Sequence, residues 1–196
     1  MKRSIIFLLM FVLPLAMMAQ STYKISPKSV LKVDGTSTMH DWSMQTSSIT
    51  GDAQLEVTEG KLTGIKNLQL SLKAESLKSG KNAMDKNAYE ALKTGKHPNI
   101  TFKLTTINNI EQKGNEGLIT ATGMLTIAGV SKQEKIEVRY TIDKDGAISF
   151  KGKKEFKMSQ FGVTPPSFMF GSVTTGDLVT IDINLLVTAS TPTVVQ

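Results

Sequence analysis

The sequence predicts an all-β fold: eight antiparallel strands closed into an up-and-down barrel, with one short amphipathic helix between the third and fourth. Three observations lead there. Apolar residues alternate with polar ones at period two through most of the chain, so each strand has one apolar and one wet face. Short Gly-containing turns separate the alternating runs, as hairpins require. Most runs reach ten residues or more, against about 5–6 for an average strand, and closure removes the exposed edges that such strands would carry.

Taken in order, the chain opens with Lys2 and Arg3, an apolar stretch from Ile5 to Leu15, and small residues at Ala16 and Ala19. That order is expected of a cleavable export signal over 1–19. The apolar run is shorter than the ~20 residues of a spanning helix. The chain lacks cysteine, so neither disulfides nor thiolate metal sites enter, and a periplasmic protein is expected. Loss of Lys2 and Arg3 leaves 21 basic residues against 17 acids, a mild excess that is dispersed along the chain. With three tyrosines and one tryptophan there is no basic run interleaved with stacking aromatics, so no nucleic-acid partner is expected. The remainder fits one domain over 20–190, followed by a tail over 191–196.

Strands are expected near 29–38, 45–57, 62–74, 99–111, 117–127, 132–143, 147–157 and 177–188. The last is the clearest. Val179, Ile181, Ile183, Leu185 and Val187 share one face, and only Leu186 interrupts the polar one. Turns at Thr58–Gly60, Lys113–Gly117, Ala128–Lys132 and Asp143–Gly146 punctuate the rest.

Two segments break the rhythm. Residues 82–94 place Met84, Ala88, Ala91 and Leu92 on one helical stripe, with Asn82 as the expected cap, Asp85 three residues on and Gly95 as the stop. Residues 158–176 are rich in Pro and Gly yet carry Phe161, Phe168, Met169 and Phe170. Such a loop is read as a plug across the barrel mouth or as a lid that touches a ligand.

Catalytic and metal chemistry find little support. There is no G-x-S-x-G, and the two histidines, His40 and His97, lie too far apart in sequence to give a ligand spacing. The stretch T-S-T-M-H-D-W-S-M from Thr36 to Met44 sets His40 beside Asp41. Neighbours on an extended strand face opposite ways, so the two are not expected to act as a catalytic pair. Trp42 reads as a closing or core aromatic. No enzyme, cofactor or metal is expected.

Five motifs in sequence order carry a resemblance. They are G-T-S-T-M-H-D-W at 35–42, M-D-K-N-A-Y-E-A-L-K-T-G-K-H-P-N-I-T-F-K at 84–103, G-M-L-T-I-A-G-V-S-K at 123–132, F-G-V-T-P-P at 161–166 and G-D-L-V-T-I at 176–181. With them the chain resembles the YceI-like family of lipid- or polyisoprenoid-binding proteins of the bacterial envelope. The resemblance implies a lipocalin-like barrel with an elongated pocket for an isoprenoid chain. An eight-stranded barrel is wide enough either to be filled by side chains or to hold one small ligand.

The implied pocket would be lined chiefly by strands three to six. Expected lining residues are Trp42 and Met44 early in the chain, Leu68, Leu70 and Leu72 on the third strand, and Met84 on the helix. Ile100, Phe102 and Leu104 follow on the fourth, then Met124 and Phe150, and Phe161, Phe168 and Phe170 in the loop. Head-group contacts are expected among His40, Asp41, Asn82 and Asp85, with Lys86 beside them. The implied function is non-catalytic storage or transport of a polyisoprenoid, a quinone-like molecule or another long-chain lipid, with transient membrane contact and a homodimer both left open. The competing reading is an envelope-stress or structural protein with a filled barrel.

Overall fold

The structure is a computed structural model and describes residues 21–190. The expected export signal and the tail over 191–196 lie outside the described residues. Eleven strands are present: β1 (Ser21–Ile25), β2 (Val30–Ser37), β3 (Trp42–Thr46), β4 (Ile49–Thr58), β5 (Lys61–Lys73), β6 (Asn99–Lys113), β7 (Glu116–Ile127), β8 (Val130–Ile142), β9 (Ile148–Lys157), β10 (Ser167–Phe168) and β11 (Val173–Ala189). The helix α1 (Asn82–Leu92) lies between β5 and β6, and one-turn 3-10 helices occupy Ala74–Ser76, Met158–Phe161 and Met169–Gly171.

Eight of these strands close a barrel in the order β1-β4-β5-β6-β7-β8-β9-β11, with β11 returning to β1. All pairings around the ring are antiparallel. β2 and β3 prolong β1 and β4 beyond two interruptions. β11 pairs with β1 through Tyr23↔Ala189 and with β2 through Asn184↔Val30 and onward, so β1 and β2 are two lengths of one stave. The two breaks put α1 after the fifth strand in the full count instead of the third.

The first break is chemical. Pro27 has no N–H to give to the ladder. Ser29, fully buried, supplies the missing pairing: its hydroxyl donates to the Leu186 carbonyl at 3.1 Å and accepts from the Leu186 amide at 2.9 Å. At the second break the Thr46 hydroxyl accepts from the Ser48 amide at 3.0 Å.

The barrel interior divides into two halves. Toward one end it is filled: Leu55, Leu62, Ile119, Tyr140, Ile148 and Val187 are almost wholly buried in a single cluster. Toward the other end the apolar side chains form two separate groups. One is centred on Phe156, Phe161 and Val179, the other on Met44, Leu72 and Leu77. The space between them is the site.

Helix α1 covers this second end. Asn82 does not cap it as expected: it is the first helical residue, and Lys81 takes the N-cap place without a side-chain bond. The Asp85 carboxylate, three residues on, accepts from the Ser79 amide (2.8 Å) and hydroxyl (2.6 Å). The Tyr89 hydroxyl meets the Leu77 and Glu75 carbonyls at 2.8 and 2.9 Å. The helix stops at Lys93 in the left-handed region (φ 54), ahead of Gly95. Thr94 then turns inward to donate to the Glu75 carboxylate at 2.7 Å, which ties the exit to the segment below.

Candidate functional site

The cavity beneath α1 has a volume of about 430 Å³, within the ~300–1,000 Å³ usual for small-molecule sites. Its floor is formed by Leu31 and Leu70, which line the space and pack against the filled half. The walls come from β2, β3, β5, β6, β7, β9 and β11, and the roof from α1 through Met84, Ala88, Ala91 and Leu92. The mouth is marked by lining residues that are themselves exposed: Met39, His40, Lys81 and Ala83.

Alternation explains how the sequence builds the walls. Ile100 and Phe102 point inward on β6, and Leu104, Ile107 and Ile110 keep that facing further down only because β6 bulges twice against β7. Phe102 pairs with Leu125, and its ring reaches diagonally over Gly123, the partner of Leu104. A Cβ at Gly123 would fall 2.2 Å from the Phe102 ring, so the ring edge lies against bare backbone. Gly35 does the same for Trp42, whose indole spans it and donates from Nε1 to the Thr36 carbonyl at 3.0 Å.

Chemically the lining is almost entirely hydrocarbon. Among the described residues its polar members are mostly Ser, Thr and Asn, its only charged or titratable side chains are Lys81 and His40, and no carboxylate is among them. The His40 Nδ1 lies 2.8 Å from the Asp41 carbonyl, which can only accept, so the hydrogen bond puts the proton on Nδ1 and leaves Nε2 free at the mouth. The Ser37 hydroxyl shapes this corner by donating to the His40 carbonyl at 2.7 Å and accepting from the Met39 and His40 amides. Hydrogen bonds from Ser79, opposed by burial and helped by Lys78, hold the Asp85 carboxyl below the usual carboxylate range. Asp85 is buried by these contacts and serves the anchoring of α1.

Of the residues singled out from sequence, Trp42, Met44, Leu70, Leu72, Met84, Ile100, Phe102, Phe161 and His40 meet around the cavity. Others do not. Leu68, Leu104 and Phe150 face inward but pack with the filled half. Met124 faces out, because its neighbour Gly123 takes the inward position. Phe170 is wholly exposed, and the side chain of Phe168 lies outside the described residues. Asp41, Asn82 and Asp85 are not in the lining, and Lys86 reaches Glu90 at 4.0 Å on the helix surface.

The expected concentration on strands three to six is also corrected. The lining takes nothing from β8, whose Val138, Tyr140 and Ile142 belong to the filled half. It takes Leu31 and Val33 from β2, Phe156 from β9, and Val179 and Ile181 from β11. Closure sets β2 beside β11, so first and last staves form one continuous wall. The loop after β9 divides its roles. Phe161 is fully buried and meets Phe156 edge to face at 5.0 Å, whereas Pro166 and Val173 are half-buried members of the lining.

An eight-stave antiparallel barrel, filled at one end and hollowed into a single apolar cavity at the other, defines a lipocalin-like ligand-binding architecture. The YceI-like domain model matches residues 22–187, and the chain belongs to that family. Solved structures agree in fold. Burkholderia cenocepacia BcnA superposes with a TM-score of 0.61 at 21% identity, covering 84% of this chain and 99% of its own. A polyisoprenoid-binding domain from Saccharophagus degradans, implicated in plant cell wall breakdown, reaches 0.68 at 12% identity, over 88% of this chain and 100% of that one. The Campylobacter jejuni YceI protein gives 0.52 at 24% identity, covering 73% and 81%. No curated protein matches the chain at the sequence level.

Proposed function

We propose that this protein binds an amphiphilic lipid with a long apolar chain, of polyisoprenoid or quinone-like type, and stores or carries it in the periplasm without chemical conversion. The cavity carries the reading. A hydrocarbon-lined space with Lys81 and His40 at its mouth suits a molecule that is apolar along its length and polar at one end. Each methylene moved from water into such a space contributes roughly 0.8 kcal/mol before ordering costs, so few polar contacts are needed. Membership of the YceI-like family, and likeness in fold to a polyisoprenoid-binding domain, support the same class of ligand. A lining without carboxylates, with the His40 Nδ1 engaged by backbone, supports binding over catalysis. The composition of residues 1–19 supports export.

Native mass spectrometry of the protein purified from its source, followed by solvent extraction, tests the proposal. A bound amphiphile of defined mass is expected. Its repeated absence, with no uptake of added prenyl or acyl chains, removes the carrier reading.

A further inference from the structure

The segment Met158–Ser172 holds no charged residue, and it ends in a feature that packing within the barrel does not explain. Phe170 is wholly exposed and sits in the left-handed region (φ 55, ψ 33), which an aromatic residue rarely adopts, with Gly171 also at positive φ. The backbone therefore turns a large apolar ring away from the protein. Met39, 69% exposed, occupies the adjoining loop and borders the cavity mouth.

Three hydrogen bonds tie the two loops together. The Thr38 amide donates to the Thr174 carbonyl at 3.0 Å, and the Thr38 hydroxyl donates to the Ser172 carbonyl and accepts from the Thr174 amide. Two exposed apolar side chains thus stand on a braced double loop at the opening of an apolar cavity. Lys81 borders the same opening from the helix side; Lys78 and Lys86, exposed and near it in the chain, stand 3.9 Å from Asp85 and 4.0 Å from Glu90. Asp41 is the only carboxylate in the Ser37–Asp41 loop.

We infer that this braced tip docks on a lipid bilayer, inserting Phe170 and Met39 at the head-group boundary while the lysines face anionic head groups. The inference rests on the lipid-carrying reading and gives it a delivery surface. An apolar cavity whose mouth is pressed to a bilayer can exchange a chain without exposing it to water. An apolar tip with Lys81 at the same opening, on a chain of net positive charge, fits an anionic membrane surface better than it fits a second copy of this basic chain.

The test is co-sedimentation of the purified protein with vesicles of phosphatidylethanolamine containing phosphatidylglycerol, set against phosphatidylcholine vesicles. Preferential binding to the anionic vesicles is expected. Replacing Met39→Ser and Phe170→Ser together should weaken it by about tenfold or more, from the apolar area lost. Met124→Ser, on the exposed barrel wall, should leave it unchanged. Equal sedimentation of the double variant and the parent, or no vesicle binding by the parent, overturns the inference. So does concentration-dependent dimerisation that Phe170→Ser abolishes, in the absence of vesicle binding.

Uptake of farnesol in vesicle-free solution, followed by Trp42 emission, separates the two readings. Uptake without vesicle binding removes the tip and leaves the cavity reading standing. Vesicle binding without uptake keeps the tip and removes carriage.

Discussion

Gly123→Ala should narrow the cavity more than it harms the fold. The added Cβ would lie 2.2 and 2.4 Å from two carbons of the Phe102 ring and 2.8 Å from the Lys103 carbonyl oxygen. Carbon contacts settle near 3.5 Å, so the ring must move by at least about 1.3 Å. The open direction is the cavity, which Phe102 lines. An aromatic edge displaced that far takes the room of one to two methylenes of a bound chain, each worth roughly 0.8 kcal/mol. Affinity for an isoprenoid alcohol should therefore fall about fourfold to fifteenfold, measured by displacement of a fluorescent apolar probe. Stability in urea should fall by about 1–3 kcal/mol, the range for modest overpacking. Adding Phe102→Leu to the variant should return the space and restore most of the affinity. Unchanged binding by Gly123→Ala, or a loss that Phe102→Leu does not rescue, would refute this account of the wall.

Three further outcomes are expected. Leu70→Ala lowers the cavity floor, so a length series of prenyl alcohols should shift its best binder toward longer chains, at a stability cost of about 2 kcal/mol. Ser29→Ala takes the partner from the Leu186 amide, while the Leu186 carbonyl keeps the Ser26 amide at 2.8 Å, and should cost about 1–3 kcal/mol in urea without changing ligand affinity. Asp85, whose folded carboxyl is held below its unfolded range near ~3.9, contributes stability that is present above that value and lost as pH falls through the lower folded one. The thermal midpoint of Asp85→Asn should thus lie below the parent's at pH 6 and converge on it below about pH 4.

Alternation made the barrel legible, because a period of two assigns each residue to a face. It cannot assign depth. Leu68, Leu104 and Phe150 have the inward facing of Leu70, Phe102 and Phe156, but register sets them in the filled half. Met124 shows the strictness of the same rule: beside an inward Gly123 it had to point out, although it was expected in the lining. Leu31, Val33, Val179 and Ile181 were visible as apolar positions, and only closure shows that they meet. The roof residues Ala88, Ala91 and Leu92 lie on the helical stripe already evident around Met84. The breaks at Pro27 and Thr46–Ser48 left a weaker signal, since a hydroxyl standing in for a ladder bond resembles any other serine or threonine in a strand.

The seam between first and last staves also sets an order of events. Tyr23 finds its partner in Ala189 and Val33 in Ile181, so the ring joins residues from opposite ends of the chain and cannot shut until nearly all of it has emerged. Pairings of such long range form late and slowly. Until then the future wall at Leu31 and Val33, paired with β3 on one side, has its other edge open to misassociation. Binding competence should therefore appear in a single step at the end of folding. A lipid that binds only the closed ring will hold that last seam shut.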